Sequence, residues 1–289
     1  MESQSKIYDT LDHLNLIRKD TIEIFSNHTR DNKNLTVYRD SNSGVIFINE
    51  YYVGEEEYES GEYRKSHLTE TTEDFEDIID TERRYNKNKQ FIIGKNICDF
   101  GCGAGNFLRL SSLAKSKIGI EIQKDFKNIL NKEKIKCVSS LESVGLMDTV
   151  FLFHTLEHLP DPIKTLKDIH TKLKPNGKII IEVPHARDFL LTQLKNESFK
   201  NSTLWSQHLI LHTRESLYSF LNSTGFKDIH IEGIQRYGLS NHMSWLKDGK
   251  SGGHKNNLSI FETENLKNAY ADALSRLDAN DTIVATATV

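Results

Sequence analysis

Residues Ile97–Phe107, "ICDFGCGAGNF", contain three glycines at alternate positions directly after a short apolar run. Glycine permits positive φ angles and lets a backbone approach a ligand closely, because it has no Cβ. Gly101, Gly103 and Gly105 therefore predict a tight loop between a strand and a helix that holds a nucleotide-type ligand. The spacing differs from the G-x-G-x-x-G of dinucleotide-binding proteins, and the G-K-[ST] of a P-loop is absent.

Two acidic residues indicate which nucleotide-type ligand the loop would take. Asp99 ends the predicted strand, where a carboxylate would repel a pyrophosphate but attract an ammonium group. Glu121 closes the next strand about 20 residues on, the spacing at which a carboxylate binds ribose hydroxyls. A ligand with an amine at one end and a ribose at the other fits S-adenosylmethionine. The alternative is structural, with Asp99 as a helix cap, a solvated Glu121 and a plain glycine turn.

The composition is that of an ordinary globular protein, with 289 residues, 37% hydrophobic and 27% charged. The net charge of -4 predicts no broad basic face, which makes nucleic acid a poor candidate partner. The three cysteines, Cys98, Cys102 and Cys137, have neither a disulfide nor a zinc-ribbon pattern and suit a reducing cytoplasm. We expect Cys102 to fill space rather than act as a nucleophile. No secretion signal and no apolar run of about 18 residues is found, so we expect a cytoplasmic protein without membrane insertion.

Short apolar strands alternate with helical patterns from Ile97 onward, which predicts an α/β fold. The expected architecture is a doubly wound seven-stranded Rossmann-like sheet with helices on both faces. One helix begins at Asp161 and Pro162, with an apolar stripe ending at Leu173. The predicted strands are Asn96–Phe100, Lys117–Ile122, Ile135–Val138, Thr149–Phe153, Lys178–Val183, Lys227–Glu232 and Thr282–Val289.

Two domains are predicted, a cap or extension over residues 1–70 and the sheet domain over 71–289. "LTVYRDSNSGVIFINEYY" predicts a β-hairpin in the cap, and "ETTEDFEDIIDTERRYN" an acidic helix with Phe75, Ile78 and Ile79 facing inward. Two insertions follow the fifth and sixth strands, at residues 184–211 and 237–257. Loops beyond strand ends bind substrates in open α/β sheets, so we expect the acceptor there.

Taken together, four segments resemble the Rossmann-type S-adenosylmethionine-dependent methyltransferases: "DFGCGAG", "GIEIQ", "FLFHTLEHLPDP" and "LKPNGKIIIEVP". With the downstream "QHLILHTRESLYSFLNSTGF", the resemblance is greatest to methyltransferases of bacterial surface-polysaccharide and deoxysugar gene clusters. The segment "VYRDSNSGVIFIN" is similar to the zinc-ribbon lead of some members. Arg39, Asp40 and Ser43 stand in place of the cysteine pairs, so no bound metal is expected.

The resemblance implies a set of cofactor-binding residues. The carboxylate of Asp99 and the glycine loop would contact the methionine moiety, Glu121 the ribose, and residues near Ser139–Leu141 the adenine. The family often has an acid at the end of the third strand, where this chain has serines. The implied cofactor-binding residues are Asp99, Gly101, Cys102, Gly103, Glu121, Ile122, Ser140, Leu141, Phe153 and His154.

The segment His154–His158, "HTLEH", also matches the H-x-x-E-H pattern of some zinc peptidases. That pattern needs a helix, whereas these residues follow a buried strand. In the sugar methyltransferases that this segment resembles, the Glu-His pair provides the base, which makes His158 the candidate base and Glu157 its orienting partner. The alternative is that His158 merely packs beneath the loop. His185, His208, Tyr237 and His242 are the candidate substrate-binding residues. Two or three histidines with a carboxylate could hold a divalent metal, but spacing selects no set.

The sequence thus predicts an O-methyltransferase acting on a sugar or sugar-nucleotide in bacterial glycan synthesis. A methyltransferase for a quinone, lipid or natural product is the first alternative, although the two insertions are polar where an apolar acceptor would need an apolar lid. A non-catalytic S-adenosylmethionine-binding module is the second alternative.

Overall fold

The computed structural model describes residues 6–49 and 75–289. The boundary expected at residue 70 and the start of the acidic helix lie outside the described residues. In chain order the strands are β1 (Ile22–Ser26), β2 (Val37–Asp40), β3 (Ile46–Ile48), β4 (Asn96–Phe100), β5 (Ser116–Ile120), β6 (Lys136–Val138), β7 (Met147–Phe153), β8 (Leu173–Pro184), β9 (Ile210–Leu211), β10 (Lys227–Ile234) and β11 (Thr282–Thr288). The helices are α1 (Ile7–His13), α2 (Phe75–Ile92), α3 (Asn106–Leu110), α4 (Lys124–Lys132), α5 (Pro162–Lys172), α6 (Phe189–Thr192), α7 (Glu197–Thr203), α8 (Arg214–Ser223), α9 (Leu239–Asp248) and α10 (Glu264–Arg276).

The large sheet has seven strands in the order β10-β11-β8-β7-β4-β5-β6. All seven predicted strands are present, and β4 has the predicted bounds. Strands β4 to β8 pair in parallel, whereas β11 runs antiparallel to both β8 and β10. The sheet is therefore mixed, a detail that the alternation of strands and helices along the sequence does not reveal. The carboxyl ends of β4, β5, β6, β7, β8 and β10 all lie at one edge.

Both faces of the large sheet are covered, as the doubly wound prediction requires. Neighbouring residues of one strand enter different cores: Ile179 belongs to one buried cluster and Ile180 to another on the opposite face. Such two-sided burial explains the continuous apolar runs in the sequence, because strands buried on both faces do not alternate.

A second, four-stranded antiparallel sheet has the order β1-β2-β3-β9. The predicted hairpin is confirmed by β2 and β3. Strand β9 comes from the insertion at 184–211, with Phe47 opposite Ile210. The first insertion and the N-terminal segment thus form one structural unit.

The described N-terminal residues also share a core with the large sheet. Ile7, Leu11 and Phe47 are at most 1% exposed and belong to the same buried cluster as Val150 and Ile179. The segment therefore packs directly on the sheet. The division of the chain at residue 70 stays a prediction.

The prediction that Ile78 and Ile79 face inward is wrong, because they are 37% and 46% exposed. The buried face of α2 carries Asp80 instead, which is 7% exposed. Helix α2 is held to the sheet by ion pairs described below, so apolar periodicity selected the wrong face.

The helix predicted after "LPDP" is confirmed as α5. Its cap is Asp161, whose carboxylate accepts the backbone N–H of Lys164 at 3.1 Å, and Leu166 and Ile169 are buried. The two insertions, expected as loops, instead contain the helices α6, α7 and α9. No helix among the described residues has the length and apolar character needed to cross a membrane.

Candidate active site

The glycine loop follows β4 directly and packs against Thr155 and Leu130. Gly101 and Gly105 have φ angles of 78° and 80°, which side chains rarely allow. A Cβ at Gly101 would lie 2.5 Å from the hydroxyl oxygen of Thr155, and one at Gly105 would clash with Leu130. The sequence interpretation that these glycines clear room for a ligand is thus only part of the explanation, since two of the three make room for neighbouring side chains.

Gly103, the middle glycine of the loop, contacts Glu121, the acid at the end of β5. The backbone N–H of Gly103 donates to Glu121 Oε2 at 2.8 Å, and the N–H of Gln123 donates to Oε1 at 2.9 Å. Glu121 is 7% exposed. A carboxylate has about four acceptor sites, so Glu121 can hold the loop and still accept two hydroxyl donors.

Asp99 is a buried carboxyl group at the end of β4, 3% exposed. Burial, opposed by the positive charge of Arg84 and assisted by the carboxylate of Glu121, raises the pKa of Asp99 to about 7. The cationic charge around this carboxylate is therefore insufficient to compensate for its burial. An ammonium group bound here would supply the missing charge.

Cys102 lies inside the loop with its Sγ 3.9 Å from Sγ of Cys137. It covers Gly119 of β5, where an added Cβ would lie 2.5 Å from the sulfur. The weak hydrogen bond with Cys137 and burial both raise the pKa of the Cys102 thiol. These contacts support a space-filling role, because a nucleophile needs an accessible thiolate.

The other expected cofactor residues lie at the same edge of the sheet. Ile122 follows β5 and is 37% exposed, and Ser140 and Leu141 follow β6 at a short 3₁₀ turn. Phe153 ends β7 and packs edge-on against Phe107 of α3, with ring centroids 4.9 Å apart. The fold thus brings the expected residues to one edge, while their contacts with a cofactor stay predictions.

A sharp turn over residues 154–158 connects this edge to the candidate base. His154 has a φ of 50°, which turns the chain at the end of β7, and Thr155 Oγ1 donates to the carbonyl of Phe100 at 3.2 Å. Leu156–His158 then forms a single 3₁₀ turn. The α-helix that the zinc-peptidase pattern requires is therefore missing. The same contacts place the 154–158 turn directly against the glycine loop.

Glu157 is completely buried within this turn. Its Oε1 accepts from His154 Nδ1 at 3.3 Å and lies 3.9 Å from His158 Nε2. Burial alone would raise its pKa, but the hydrogen bond from His154 and the charges of His158 and His154 lower the pKa of Glu157 to about 2. Its other oxygen, Oε2, has no hydrogen-bond partner among residues 6–49 and 75–289.

His158 and His208 lie side by side, with ring centroids 5.1 Å apart. His158 Nδ1 donates to the carbonyl of Gln207 at 2.8 Å, and His208 Nδ1 donates to the carbonyl of Thr203 at 3.2 Å. Burial and the charge of His158 lower the pKa of His208 to about 3. The first insertion therefore brings His208 next to the candidate base, a contact that residue spacing along the chain does not reveal.

A charged network lies beside the turn, between the middle of α2 and the carboxyl ends of β8 and β10. Both Arg83 and Arg84 donate to Glu182 at 2.7 to 3.0 Å, and Arg236 donates to Asp80 at 2.6 Å. Burial would raise the pKa of Glu182, but the hydrogen bond with His154 and the arginine charges hold it well below its usual range. The network, defined as Asp80, Arg83, Arg84, Glu182 and Arg236, carries three cations and two anions.

The charged network contacts the 154–158 turn through His154 and the end of β7 through Phe153. Arg236 Nη1 and Glu182 Oε1 lie 3.3 and 3.4 Å from His154 Nε2, and the guanidinium of Arg84 covers the ring of Phe153 at 4.9 Å. Sequence reasoning missed this network and Thr155. One signal was present, because Glu182 is the single acid in the apolar run Ile179–Val183.

The other expected substrate residues are dispersed. His185 is buried, its Nδ1 donates to the carbonyl of Asn280 at 3.1 Å, and burial lowers its pKa to about 4. His242 on α9 is buried against Phe189, and its Nδ1 forms a hydrogen bond with the hydroxyl of Tyr270 at 2.7 Å. Tyr237 is half-buried under Arg236, at the carboxyl edge. The ring of His208 contacts that of His158 in the 154–158 turn, and the substrate-binding roles of all four residues stay predictions.

The sheet order and the acid-flanked glycine loop at its carboxyl edge define a class, the Rossmann-like S-adenosylmethionine-dependent methyltransferases. Residues 61–231 match the methyltransferase domain family, and the chain belongs to that family. Two solved structures share the fold, an S-adenosylmethionine-dependent methyltransferase from Archaeoglobus fulgidus and magnesium protoporphyrin IX methyltransferase from Synechocystis. The first has a TM-score of 0.50 and 21% identity over 73% of this chain and 94% of its own. The second has a TM-score of 0.50 and 12% identity over 81% of this chain and 97% of its own.

Curated relatives are similar over part of the chain. A tRNA U34 carboxymethyltransferase from Nautilia profundicola is 26% identical over 50% of this chain and 51% of its own length. A ubiquinone biosynthesis O-methyltransferase from Coxiella burnetii is 23% identical over 57% of this chain and 77% of its own length. The chain thus spans about half the length of the tRNA-modifying relatives it matches.

Proposed function

We propose that this protein transfers the methyl group of S-adenosylmethionine to a hydroxyl oxygen of a sugar or sugar-nucleotide in bacterial glycan synthesis. The observation that carries the proposal is the juxtaposition at the carboxyl edge of the sheet. The glycine loop meets the Glu157–His158 pair through Thr155, and the charged network lies beside them. A donor site, a proton-accepting pair and a polar acceptor site are thus neighbours.

The residues of the glycine loop fit the cofactor. Asp99 is a buried carboxylate whose pKa of about 7 an ammonium group would lower, and Glu121 has acceptor sites left for two ribose hydroxyls. When bound, S-adenosylmethionine supplies a methyl group on a positively charged sulfur.

The reaction is an in-line displacement in which alignment contributes most of the catalysis. The acceptor oxygen forms a bond to the methyl carbon while the carbon–sulfur bond breaks and sulfur keeps the electron pair. The hydroxyl proton must leave during the attack, because a neutral hydroxyl is a weak nucleophile. We place its removal at the Glu157–His158 pair, which borders the loop.

The polarity of the site favours a polar acceptor. The arginines of the charged network are residues of the type that binds phosphate through paired hydrogen bonds. A sugar-nucleotide offers both phosphates and hydroxyls to such a surface. An apolar quinone tail would find few apolar contacts at the network.

A second candidate acceptor is the phenolic hydroxyl of a small aromatic molecule. Its support is the similarity to ubiquinone biosynthesis O-methyltransferases, which extends over 77% of the length of the Coxiella burnetii protein. Phenols also lose a proton more readily than sugar hydroxyls. The two candidates share the donor site and differ only in the acceptor.

The test measures S-adenosylhomocysteine formation with three acceptor sets: nucleotide-activated sugars, catechols and other phenols, and bulk tRNA. We expect turnover with the first set, lost in His158→Ala, while S-adenosylhomocysteine binds both proteins equally in calorimetry. Turnover with phenols alone would establish the second candidate. Turnover with tRNA alone, or tight binding of NAD without binding of S-adenosylhomocysteine, would refute the proposal.

A further inference from the structure

We propose that Glu157, His158 and His208 form a binding site for a divalent transition-metal ion beside the acceptor. The inference deepens the proposed function and rests on its placement of the acceptor. Among residues 6–49 and 75–289, these three offer ligand atoms that all lie within 4.8 Å of one another. That separation is small enough for one ion to contact all three after small side-chain movements.

The donor set is one that binds metals in many enzymes. Two imidazoles and one carboxylate suit zinc, manganese or ferrous iron, and three protein ligands leave positions open for substrate oxygens. Calcium and magnesium prefer sites made of oxygen atoms alone. We therefore expect a transition metal.

Backbone carbonyls orient the two histidines as metal ligands are usually oriented. In metal sites a histidine donates its other ring N–H to a carbonyl or carboxylate, which fixes the tautomer. Here the Nδ1–H groups of His158 and His208 donate to the carbonyls of Gln207 and Thr203. The lone pair that a metal needs is therefore on Nε2 of each ring.

The carboxylate gives an independent indication. Glu157 is completely buried, and its Oε2 has no hydrogen-bond partner in the described structure. Buried polar atoms are nearly always paired, because an unpaired one costs free energy. A cation held by this carboxylate would bring positive charge to a buried group that has an unpaired oxygen.

The surroundings limit how much positive charge the cluster tolerates. Arg30 stacks on Trp205 at 4.4 Å from the ring centroid, and Trp205 in turn contacts both histidine rings edge-on. The buried carboxylate of Glu157 offsets part of the charge of the ion. A neutral or anionic acceptor oxygen in an open position would offset more.

The ion would have a defined chemical effect. A metal-bound hydroxyl has a lowered pKa, so its proton passes to water before or during the attack on the methyl carbon. In this arrangement His158 acts as a ligand and no longer as the proton acceptor, and the cation replaces the Glu157–His158 pair in activating the acceptor. No oxidation or reduction is involved.

To test this inference, the metal-depleted protein is titrated with Co²⁺ and with Zn²⁺, without cofactor or acceptor. Co²⁺ binding is followed by its visible absorption and by quenching of Trp205, and Zn²⁺ binding by calorimetry. We expect one ion per chain for wild type. His208→Ala and Glu157→Gln should weaken binding by at least about 10- to 100-fold. The matched control is His28→Ala, which removes an exposed histidine that is not one of the three proposed ligands. This variant should bind the metal ion as wild type does.

The outcomes separate the inference from the proposed function. Equal metal binding by wild type, His208→Ala and Glu157→Gln, or no binding by wild type, would overturn the inference whatever acceptor is methylated. Loss of binding in these two variants alone, together with a metal-dependent rise in melting temperature that only wild type and His28→Ala show, would support it. That result would stand even if no sugar were methylated, which would refute only the acceptor. Thermal unfolding without metal shows whether each variant is folded.

Discussion

The carboxylate of Glu121 accepts the backbone N–H of Gly103 at 2.8 Å and that of Gln123 at 2.9 Å. The acid at the end of β5 thereby fixes the glycine loop at the end of β4. The Glu121 side chain would both position the glycine loop and bind the ribose, so its removal should affect the loop conformation and the cofactor affinity.

Glu121→Ala should weaken S-adenosylhomocysteine binding by about 1 to 3 kcal/mol, because charge-assisted hydrogen bonds to the ribose are lost. Glu121→Gln should lie between wild type and alanine, since an amide keeps one acceptor oxygen for the loop. Titration calorimetry gives the dissociation constants. Wild-type affinity in Glu121→Ala would remove Glu121 from the cofactor site.

Asp99 should make cofactor binding depend on pH. Its pKa of about 7 in the unliganded protein means that below pH 7 the carboxyl group is protonated and attracts an ammonium group weakly. We expect S-adenosylhomocysteine affinity to rise from about pH 6 to about pH 8, by up to about tenfold per pH unit below the pKa. Asp99→Asn should bind more weakly at pH 8 and lose this pH dependence. A wild-type affinity that falls over this range would contradict the assignment.

His158→Ala should lower kcat by roughly 10²- to 10⁴-fold, the usual scale for loss of a group that assists proton transfer. The dissociation constant of S-adenosylhomocysteine should change little, because the contacts of His158 include Gln207, Trp205 and His208 of the first insertion. Steady-state rates with the true acceptor measure the effect. His230→Ala, an exposed histidine on β10, is the control and should retain wild-type turnover.

Asp188 should make the fold less stable at alkaline pH. Burial and the neighbouring carboxyl of Asp281 raise the pKa of Asp188 to about 8. Between its unfolded pKa of about 4 and this value, the folded state binds the additional proton, so the free energy of unfolding falls as pH rises, by at most about 1.4 kcal/mol per pH unit.

The matching variant is Asp188→Asn, which keeps an oxygen to accept the N–H of Leu191 and carries no charge. We expect it to be more stable than wild type at about pH 9 and similar to it at about pH 4. Asp161→Asn changes another helix-capping acid whose side chain is 35% exposed, and its effect should not grow with pH. Denaturant unfolding at both pH values decides the matter, and parallel pH curves for wild type and Asp188→Asn would refute it.

The second insertion should contribute to stability as well as to the acceptor site. Trp245 on α9 is 8% exposed and packs edge-on against Phe199 of the first insertion, with ring centroids 5.3 Å apart. Trp245→Ala should cost about 3 to 5 kcal/mol, the usual loss for a buried tryptophan. Leu246→Ala next to it, 57% exposed, should stay within about 0.5 kcal/mol of wild type in thermal unfolding. Equal effects of the two changes would mean that α9 is only loosely attached.

The sheet strands, the glycine loop and the acids at the ends of β4 and β5 could all be predicted from the sequence. These features are local, because strand periodicity, glycine spacing and an acid at a strand end are properties of neighbouring residues. The start of α5 at Asp161 and Pro162 was predictable for the same reason.

Contacts between residues far apart along the chain became visible only in the folded protein. His208 reaches His158 because β9 joins the hairpin β2-β3 and carries the first insertion over the 154–158 turn. The inward face of α2 was predicted wrongly because it is chosen by ion pairs with Glu182 rather than by apolar spacing. Gly101 is required by Thr155, which lies more than 50 residues away along the chain. Contacts of this kind depend on how strands and helices pack in three dimensions, and the pattern of neighbouring residues carries no record of that packing.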